Sequence, residues 1–339
     1  MARFEDQQPS LDNYWRAIIL FGRNVASYKF ALAKSLIELS QVGKTSVGYD
    51  QLAVPFSKHV VEHLQLCEKQ GTSGSSKYLE ACRKFNENEL KHESLVETTV
   101  KLGFVNVIDA FHIVNNKELP VRFFRERADK QGIELTDELL NLSQSAQFGN
   151  LPSEVEARWR LVETAWQLNI SRSLITVQHD TDNNTLFTSD NRLRRVTITS
   201  SRPALNGYQK GRCFYCFSDV FLSDESTFIT DVDHFFPHIL KQHGFFDVDG
   251  IWNLVLACYE CNRGPGGKFA QVPDLPLLER LHTRNEFLIT SHHPLRETLI
   301  QQTGSTEPAR RAFLNDRYRE ATNRLIHKWR PVNERAPAF

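Results

Sequence analysis

Hydrophobic positions three or four residues apart dominate the first half of the chain and predict α-helices there. Over residues 12–41 this spacing continues almost without a break and predicts one long helix. A second helix is expected to begin near Pro55, because proline fits the first helical turn. Residues 77–148 continue as mainly helical sequence. We therefore predict a mainly helical N-terminal domain over residues 1–150.

The pattern changes after one more amphipathic helix, predicted over residues 153–168. Short β-branched runs separated by Asp and Asn follow, and they predict two or three strands in a β-rich bridge over residues 151–206. A small core over residues 207–274 precedes a helical C-terminal cap over residues 275–339. The cap has a break near Pro294, and its last nine residues, PVNERAPAF, are expected to fray. The fold class predicted is α+β.

Composition narrows the class of protein. The chain has 339 residues, of which 40% are hydrophobic and 24% charged, as in an ordinary globular protein. Lys plus Arg and Asp plus Glu both number 41, so any nucleic-acid site has to be local. Apolar runs are far shorter than the roughly 20 residues of a membrane span, and the start MARFEDQQPS has no apolar signal segment. We expect a soluble cytoplasmic protein with no membrane partner.

The cysteine spacing is the sharpest signal in the sequence. Two CxxC pairs are formed by Cys213, Cys216, Cys258 and Cys261. Two such turns can close a tetrahedron of thiolates around zinc, and four protein ligands leave no open position, so this Zn²⁺ is expected to be structural. The alternatives are free buried cysteines or a redox pair. Cys67 and Cys82 lack this spacing and are expected in helix cores.

Polar residues of several kinds lie between and beside the two pairs. Asp231 and Asp233 precede His234, while Asn253 and Asn262 follow later in the chain. A neutral imidazole can take a proton from water, and a cation with oxygen ligands can offset charge on a phosphoryl group. Taken singly, each of these residues is as well explained as a loop histidine, a turn asparagine or a capping aspartate. Together they match the needs of metal-assisted phosphodiester hydrolysis.

The order CxxC, DVDHFFP, WNLVLAC, CxxCN resembles the zinc-stapled form of the HNH, or ββα-metal, nuclease family over residues 207–272. The resemblance implies a β-hairpin carrying the histidine, a loop, and a helix carrying the last ligand of one divalent ion. It implies that His234 is the general base and that Asp233 and Asn262 are ligands of the catalytic ion. It also implies that Asn253 orients the histidine through the loop backbone.

The last family position departs from the usual histidine. Asn262 stands there, as an asparagine also does in the HNH domain of RNA-guided CRISPR nucleases, and an amide oxygen favours Mg²⁺ or Mn²⁺. Arg263 and Lys268 are expected to contact substrate phosphates. Arg212 ends an arginine-rich stretch that leads into the first CxxC pair and is expected to form a phosphate track. The arginines after residue 275 are equally explained as a solvated helix face.

These expectations combine into a metal-dependent HNH endonuclease that hydrolyses phosphodiester bonds in DNA, most simply double-stranded DNA, by nicking or double-strand cleavage. The helical N-terminal domain would bind a protein partner or a second copy of the chain. Family analogy alone suggests an effector of bacterial anti-phage defence or restriction. The alternatives are a non-catalytic, zinc-stabilised nucleic-acid-binding adaptor and a nuclease that acts on RNA or single strands.

Overall fold

A computed structural model describes most of the chain, namely residues 9–22, 26–71, 75–145, 147–168, 177–180, 185–189, 195–200, 205, 208–220, 230–243 and 248–337. The chain forms two compact units, Met1–Asn169 and Ile170–Phe339. Helices and small sheets occur in both units, so the α+β class is confirmed. The finer boundaries at 150, 206 and 274 stay predictions. In the described part of the chain, no helix is both long and apolar enough to cross a bilayer.

The first unit is built mainly from helices packed around one apolar core. They are α1 (Leu11–Phe21), α2 (Tyr28–Gln41), α3 (Tyr49–Leu66), α4 (Lys77–Asn86), α5 (His92–Thr98), α6 (Val107–Ala110), α7 (Asp137–Ser143) and α8 (Leu151–Leu168). A π-helical turn, Thr99–Gly103, continues α5. Side chains at helical spacing, such as Leu32, Leu36, Phe56 and Val60, are fully buried in this core. The helix expected over residues 153–168 is confirmed as α8.

The single long helix expected over residues 12–41 is wrong. The chain leaves α1 at Gly22, whose backbone is extended at φ −60° and ψ 145°. A Cβ atom at Gly22 would lie 2.4 Å from the backbone carbonyl oxygen of Ile18, so a larger residue does not fit where the chain leaves the helix. The start of the next helix is also corrected, because α3 begins at Tyr49 and Pro55 lies inside it.

Short strands interrupt the segment that the sequence predicted to be helical. They are β1 (Ser46–Gly48), β2 (Ile113–Val114), β3 (Lys117–Glu118), β4 (Phe124–Glu126) and β5 (Gly132–Leu135). The antiparallel order is β1-β5-β4, and β2 pairs with β3. The turn between β2 and β3 consists of Asn115 and Asn116, with φ of 51° and 62°. Two consecutive residues with left-handed backbone conformation form a hairpin turn. This segment therefore forms a hairpin where the sequence predicted helix.

Buried charged groups attach α8 to the earlier helices. Arg16 on α1 donates to Glu154 at 2.7 Å, and both side chains are almost completely buried. His63 on α3 lies 2.7 Å from the carboxylate of Glu163 and stacks on Trp159 with ring centroids 3.4 Å apart. Helix α8 therefore packs with the first unit, although the sequence placed it in the bridge.

The second unit begins with an antiparallel sheet of order β6-β7-β8, formed by β6 (Gln178–Asp180), β7 (Thr185–Ser189) and β8 (Arg195–Ser200). These are the strands expected from the β-branched runs. A hairpin of β9 (Asp231–His234) and β10 (Leu254–Ala257) follows, and then the short helix α9 (Tyr259–Asn262). The C-terminal helices are α10 (Leu275–Thr290), α11 (Arg296–Thr303) and α12 (Glu307–Arg324). Pro294 lies between α10 and α11, where the break was predicted.

The segment after α12 packs on the core of this unit. Its strand β12 (Lys328–Trp329) runs parallel to β11 (Val272–Pro273), and the indole nitrogen of Trp329 donates to the carbonyl of Gly266 at 2.8 Å. Further along, the backbone N–H of Arg335 donates to the carbonyl of Cys216 at 2.9 Å, and its guanidinium lies 3.0 Å from Asp219. The expected fraying is therefore wrong at Arg335.

Candidate functional site

The four cysteines of the two CxxC pairs converge. Their Sγ atoms all lie within 4.8 Å of one another, and those of Cys216 and Cys258 are 3.7 Å apart. A zinc ion with Zn–S bonds of 2.3 Å in a tetrahedron separates its sulfur ligands by about 3.8 Å. Cys213 and Cys216 lie on a tight turn in which the N–H of Phe217 donates to the carbonyl of Cys213 at 3.0 Å. The cluster can hold a structural zinc ion.

The thiol environment also suits a cation. Burial raises the pKa of Cys213, whereas hydrogen bonding with Cys213 lowers the pKa of Cys216. A divalent ion removes this competition for protons, because it binds the thiolate form of every ligand. Four protein ligands leave no position for substrate, so this ion would stabilise the fold and take no part in chemistry.

Two strands and a helix carry the remaining predicted site residues. In the β9–β10 hairpin, His234 is opposite Leu254 and Asp231 is opposite Ala257. Cys258 alone separates β10 from α9, so the zinc-type cluster fixes the point at which the strand turns into the helix. This strand–strand–helix order is the one implied by the resemblance.

Strand alternation separates the side chains of β9 into two faces. On one face, Asp231 accepts hydrogen bonds from Asn262 Nδ2 at 3.0 Å and from Arg263 Nη2 at 2.6 Å. The carboxylate that meets Asn262 is thus Asp231. The sequence had paired Asn262 with Asp233 as the two ligands of a catalytic ion.

Asp233 has different partners on the same face. Its Oδ2 atom accepts from the hydroxyl of Tyr215 at 2.6 Å and lies 3.3 Å from the Nζ atom of Lys268. Tyr215 is completely buried, and its pKa is raised by burial and by the neighbouring carboxylate. This contact could not be predicted, because Tyr215 is one of the two spacer residues inside the first CxxC pair.

Lys268 is a buried cation in this arrangement. It is 0% exposed and donates to the carbonyl oxygen of His234 at 3.0 Å. A contact with substrate phosphate needs an accessible ammonium group, so the expected phosphate contact of Lys268 does not fit this structure. Its contacts instead fix the backbone that carries the histidine.

His234 lies with a carboxylate that the sequence did not single out. Its Nε2 atom is 3.3 Å from Asp249 Oδ1, and the Nε2 atom of His238 is 3.4 Å from the same oxygen. The Nζ atom of Lys241 is 2.8 Å from Asp249 Oδ2. His234 and Lys241 together hold the pKa of Asp249 well below its usual range. Asp249 is therefore ionised beside the imidazole at neutral pH.

Asn253 fixes the loop that follows the histidine. Its side chain is completely buried, accepts from the N–H of Phe236 at 2.8 Å, and donates to the carbonyls of Phe236 and Val248 at 3.0 and 2.8 Å. The backbone N–H of Phe235 also donates to the Asn253 carbonyl at 2.8 Å. Asn253 thus contacts loop backbone, which is the kind of contact implied by the resemblance.

Helix α10 supports the site from the C-terminal side. Arg284 and Asn285 donate to the carbonyl of Trp252 at 3.1 and 3.2 Å, next to Asn253. Arg280 donates to the carbonyls of Phe214 and Tyr215 at 2.7 and 2.8 Å, inside the first CxxC turn. Both the turn before β10 and the first cysteine turn are therefore held by the same helix.

The remaining basic residues are mostly paired with acids. Arg263 is more than half exposed but contacts Asp231, and Arg212 lies 2.7 Å from Asp219. Arg311 pairs with Glu279 on an exposed helix face, as expected for a solvated face. Arg310 is buried instead, and its guanidinium joins α12 to Glu286 on α10 at 2.6 Å. Of the other members of the phosphate track expected before Arg212, Lys210 is exposed. The rest fall outside the described residues or are described by backbone alone; they are Arg192, Arg194, Arg195 and Arg202.

Comparisons of the chain with protein-family models, with curated proteins and with solved structures found no match. The geometry of the site is thus the basis for any functional proposal.

Proposed function

We propose that the chain is a metal-dependent endonuclease of the HNH kind that hydrolyses phosphodiester bonds in DNA. One observation carries the proposal: a strand–strand–helix unit bears His234, Asp231, Asp233 and Asn262, while Asn253 ties down the loop behind the histidine. A buried amide with three hydrogen bonds to loop backbone is costly to build, and it restrains the backbone next to His234.

His234 acts as the general base. Its imidazole takes the proton from a water molecule, whose oxygen forms a bond to phosphorus as the ester P–O bond opposite it breaks. Asp249, 3.3 Å from Nε2, stabilises the imidazolium that results. Lys268 is a positioning residue, because its ammonium group holds the His234 carbonyl.

Oxygen donors for a hard cation come from β9 and α9. Asp231, Asp233 and Asn262 would hold Mg²⁺ or Mn²⁺, which supplies charge compensation on the phosphoryl group when bound. Such an ion competes with Arg263 and Lys268 for the two carboxylates. Arg263 is largely exposed, so it can release Asp231 and contact a phosphate oxygen instead.

Cleavage of supercoiled plasmid tests this function. With Mg²⁺ or Mn²⁺, the wild-type chain should nick or linearise the plasmid, and His234→Ala should reduce the rate by at least about 100-fold, the usual contribution of a general base. His327→Ala is the matched control, because His327 is exposed and lies outside the site. Zinc content and thermal unfolding must match in all three proteins. Equal rates for wild type and His234→Ala would exclude the assignment.

A zinc-stabilised nucleic-acid-binding adaptor is the second candidate. It is favoured by the contacts of Asp231 with Arg263 and of Asp233 with Lys268, which neutralise both carboxylates without a metal. If the chain is an adaptor, the wild type and His234→Ala should bind DNA equally well, and neither protein should cleave DNA with Mg²⁺ or Mn²⁺. Competition by RNA and by single-stranded DNA separates the nucleic-acid class.

The biological setting is a further part of the proposal. A nuclease joined to a separate helical unit suits an effector of anti-phage defence or restriction, in which the first unit binds a partner protein or a second copy of the chain. Plating efficiency of phage on cells that express wild type or His234→Ala tests this role.

A further inference from the structure

Phe269, in the second unit, is an exposed aromatic residue in a strained backbone conformation. It is 57% exposed, and its φ of 47° lies in the left-handed region, which bulky side chains rarely adopt. A ring that remains mostly in solvent gains little from packing to offset this strain. Neither backbone preference nor burial therefore explains a phenylalanine at this position. Strained residues of this kind cluster at functional sites.

Hydrogen bonds fix the backbone around Phe269. Its N–H donates to the carbonyl of Asn262 at 3.0 Å, and the N–H of Lys268 donates to the carbonyl of Cys261 at 2.7 Å. The buried ammonium group of Lys268 also donates to the Phe269 carbonyl at 3.3 Å. The segment is thus tied to α9 and to the cysteine cluster. Its conformation is set before any ligand binds, which lowers the entropic cost of binding.

The groups used in the proposed hydrolysis lie next to Phe269. Asn262, whose carbonyl accepts from the Phe269 N–H, donates through its side chain to Asp231 at 3.0 Å. Arg263 follows it, and its guanidinium lies 5.9 Å from the ring centroid of Tyr259, which is itself half-exposed. Exposed rings beside cationic groups are typical of surfaces that bind single-stranded nucleic acid, where rings stack on bases and cations contact phosphates.

We propose that Phe269 stacks on an unpaired base of the DNA, beside the phosphate that Arg263 contacts. This inference rests on the proposed function in one respect, that the substrate is DNA. Inside a duplex both faces of each base are covered by its stacked neighbours, so the ring can stack only on a base that is unpaired or turned out of the helix. The substrate class that follows is DNA with a single-stranded stretch or an extruded base. Every base has a π-face, so the contact tolerates any sequence.

DNA binding by the full chain tests the inference without hydrolysis, because fluorescence anisotropy measures it with no added divalent ion. Two labelled single strands of about eight nucleotides are compared, one of thymidines and one of abasic nucleotides with the same phosphates. Wild type should bind the thymidine strand about fivefold or more tightly, the least expected for one stacked base. Phe269→Leu keeps an apolar side chain without a ring. It should bind the thymidine strand about fivefold or more weakly than wild type does, and the abasic strand equally well.

Further variants separate stacking from other effects. Phe269→Trp keeps an aromatic face and should bind the thymidine strand at least as tightly as wild type does. Leu66→Ala changes a side chain of α3 that is 63% exposed, and as the matched control it should keep the wild-type preference. Relaxed closed circular plasmid, in which the bases are paired and stacked, should compete equally for wild type and Phe269→Leu. Thermal unfolding of each variant shows that its fold is kept.

The outcomes for stacking and for hydrolysis are distinguishable. Equal affinity of wild type for the two strands, binding of neither strand, or equal binding of the thymidine strand by wild type and Phe269→Leu would overturn the inference. Plasmid cleavage decides the hydrolytic function separately. Base-dependent binding without cleavage would leave the stacking role in place, whereas cleavage with equal affinity for both strands would leave only the hydrolytic function.

Discussion

Lys29 carries a charge that the folded first unit destabilises. Its pKa falls from 10.5 to about 8 because of burial, and its charge helps to lower the pKa of His112. Between these two pH values the unfolded chain binds more protons than the folded chain, so the free energy of unfolding rises with pH through this window. Below about pH 8 both states are protonated, and the full penalty is present.

Lys29→Met should remove that penalty. We expect the variant to unfold with a free energy about 1–3 kcal/mol higher than wild type at pH 7, a difference that shrinks as the pH rises towards about 10. Urea unfolding of both proteins at the two pH values measures it. A variant that is less stable than wild type at pH 7 would mean that the ammonium group has a stabilising partner.

Individual residues of the candidate site show which of its contacts could be predicted from the sequence. Residue types and order single out His234, Asn253 and the cysteines as candidates, because each proposed role needs a particular side chain; of these, the cysteines are shown to cluster. Which carboxylate meets Asn262 was not predictable, since Asp231 and Asp233 share one face of a strand and differ only in the neighbours that packing brings to them. Asp249 was missed for the same reason: only the folded loop brings it to the histidine.

Among the secondary-structure elements, helix α10 contacts two separate parts of the second unit. Arg280 on this helix donates to two carbonyls of the first cysteine turn, and its guanidinium lies 4.2 Å from the ring centroid of Phe217. The carbonyls of a tight CxxC turn have few partners of their own. The helix therefore stabilises the conformation in which Cys213 and Cys216 point at one metal position.

Arg280→Met should accelerate zinc loss. Removing two charge-assisted hydrogen bonds at about 1.5–3 kcal/mol each should speed zinc release to a colorimetric chelator by about tenfold or more. Arg319→Met, a mutation of a largely exposed arginine on α12, is the control and should release zinc at the wild-type rate. Identical release from both variants would show that the thiol cluster forms without support from α10.

Helices were predicted correctly where the hydrophobic periodicity is strong. The prediction failed where one or two residues end a helix or turn the chain. Helices α7, α8 and α10 follow from uninterrupted apolar spacing and recognisable ends. The end of α1 was missed although Gly22, a residue that commonly ends helices, follows its last apolar positions. The β2–β3 hairpin depends on two left-handed asparagines inside a run that otherwise has helical periodicity.

At the scale of the whole molecule, both units have buried apolar side chains, but among the described residues the thiol cluster occurs only in the second, next to its hairpin. Metal removal should therefore affect only one of them. Hydrogen exchange of the full chain, followed by mass spectrometry with and without a strong chelator, measures this.

Chelation should remove protection from the amides of Cys213 and Phe217, which donate hydrogen bonds within the first cysteine turn. The amides of α3 and α8 should keep their protection, because their contacts lie in the core of the first unit. Loss of protection in α3 on chelation would contradict this division.

The α+β class and the cluster of four cysteines could be predicted from the sequence, because the spacing of cysteines and apolar residues can be read without coordinates. The packing of α8 with the first unit could not be predicted in this way. Its buried partners, such as Arg16 and Glu154, are far apart in the chain, and no local pattern indicates their pairing.

The contacts of Arg335 with Cys216 and Asp219 can form only late in the synthesis of the chain. Domains fold as the ribosome releases them, from the N-terminus onwards. The cysteine turn leaves the ribosome early, but Trp329, Arg335 and α10, which hold it and Gly266, are translated later. The second unit thus completes its fold only after these segments emerge, while the first unit is already free to fold. The apolar core of the first unit can therefore form before the cysteine turn of the second unit has all of its contacts.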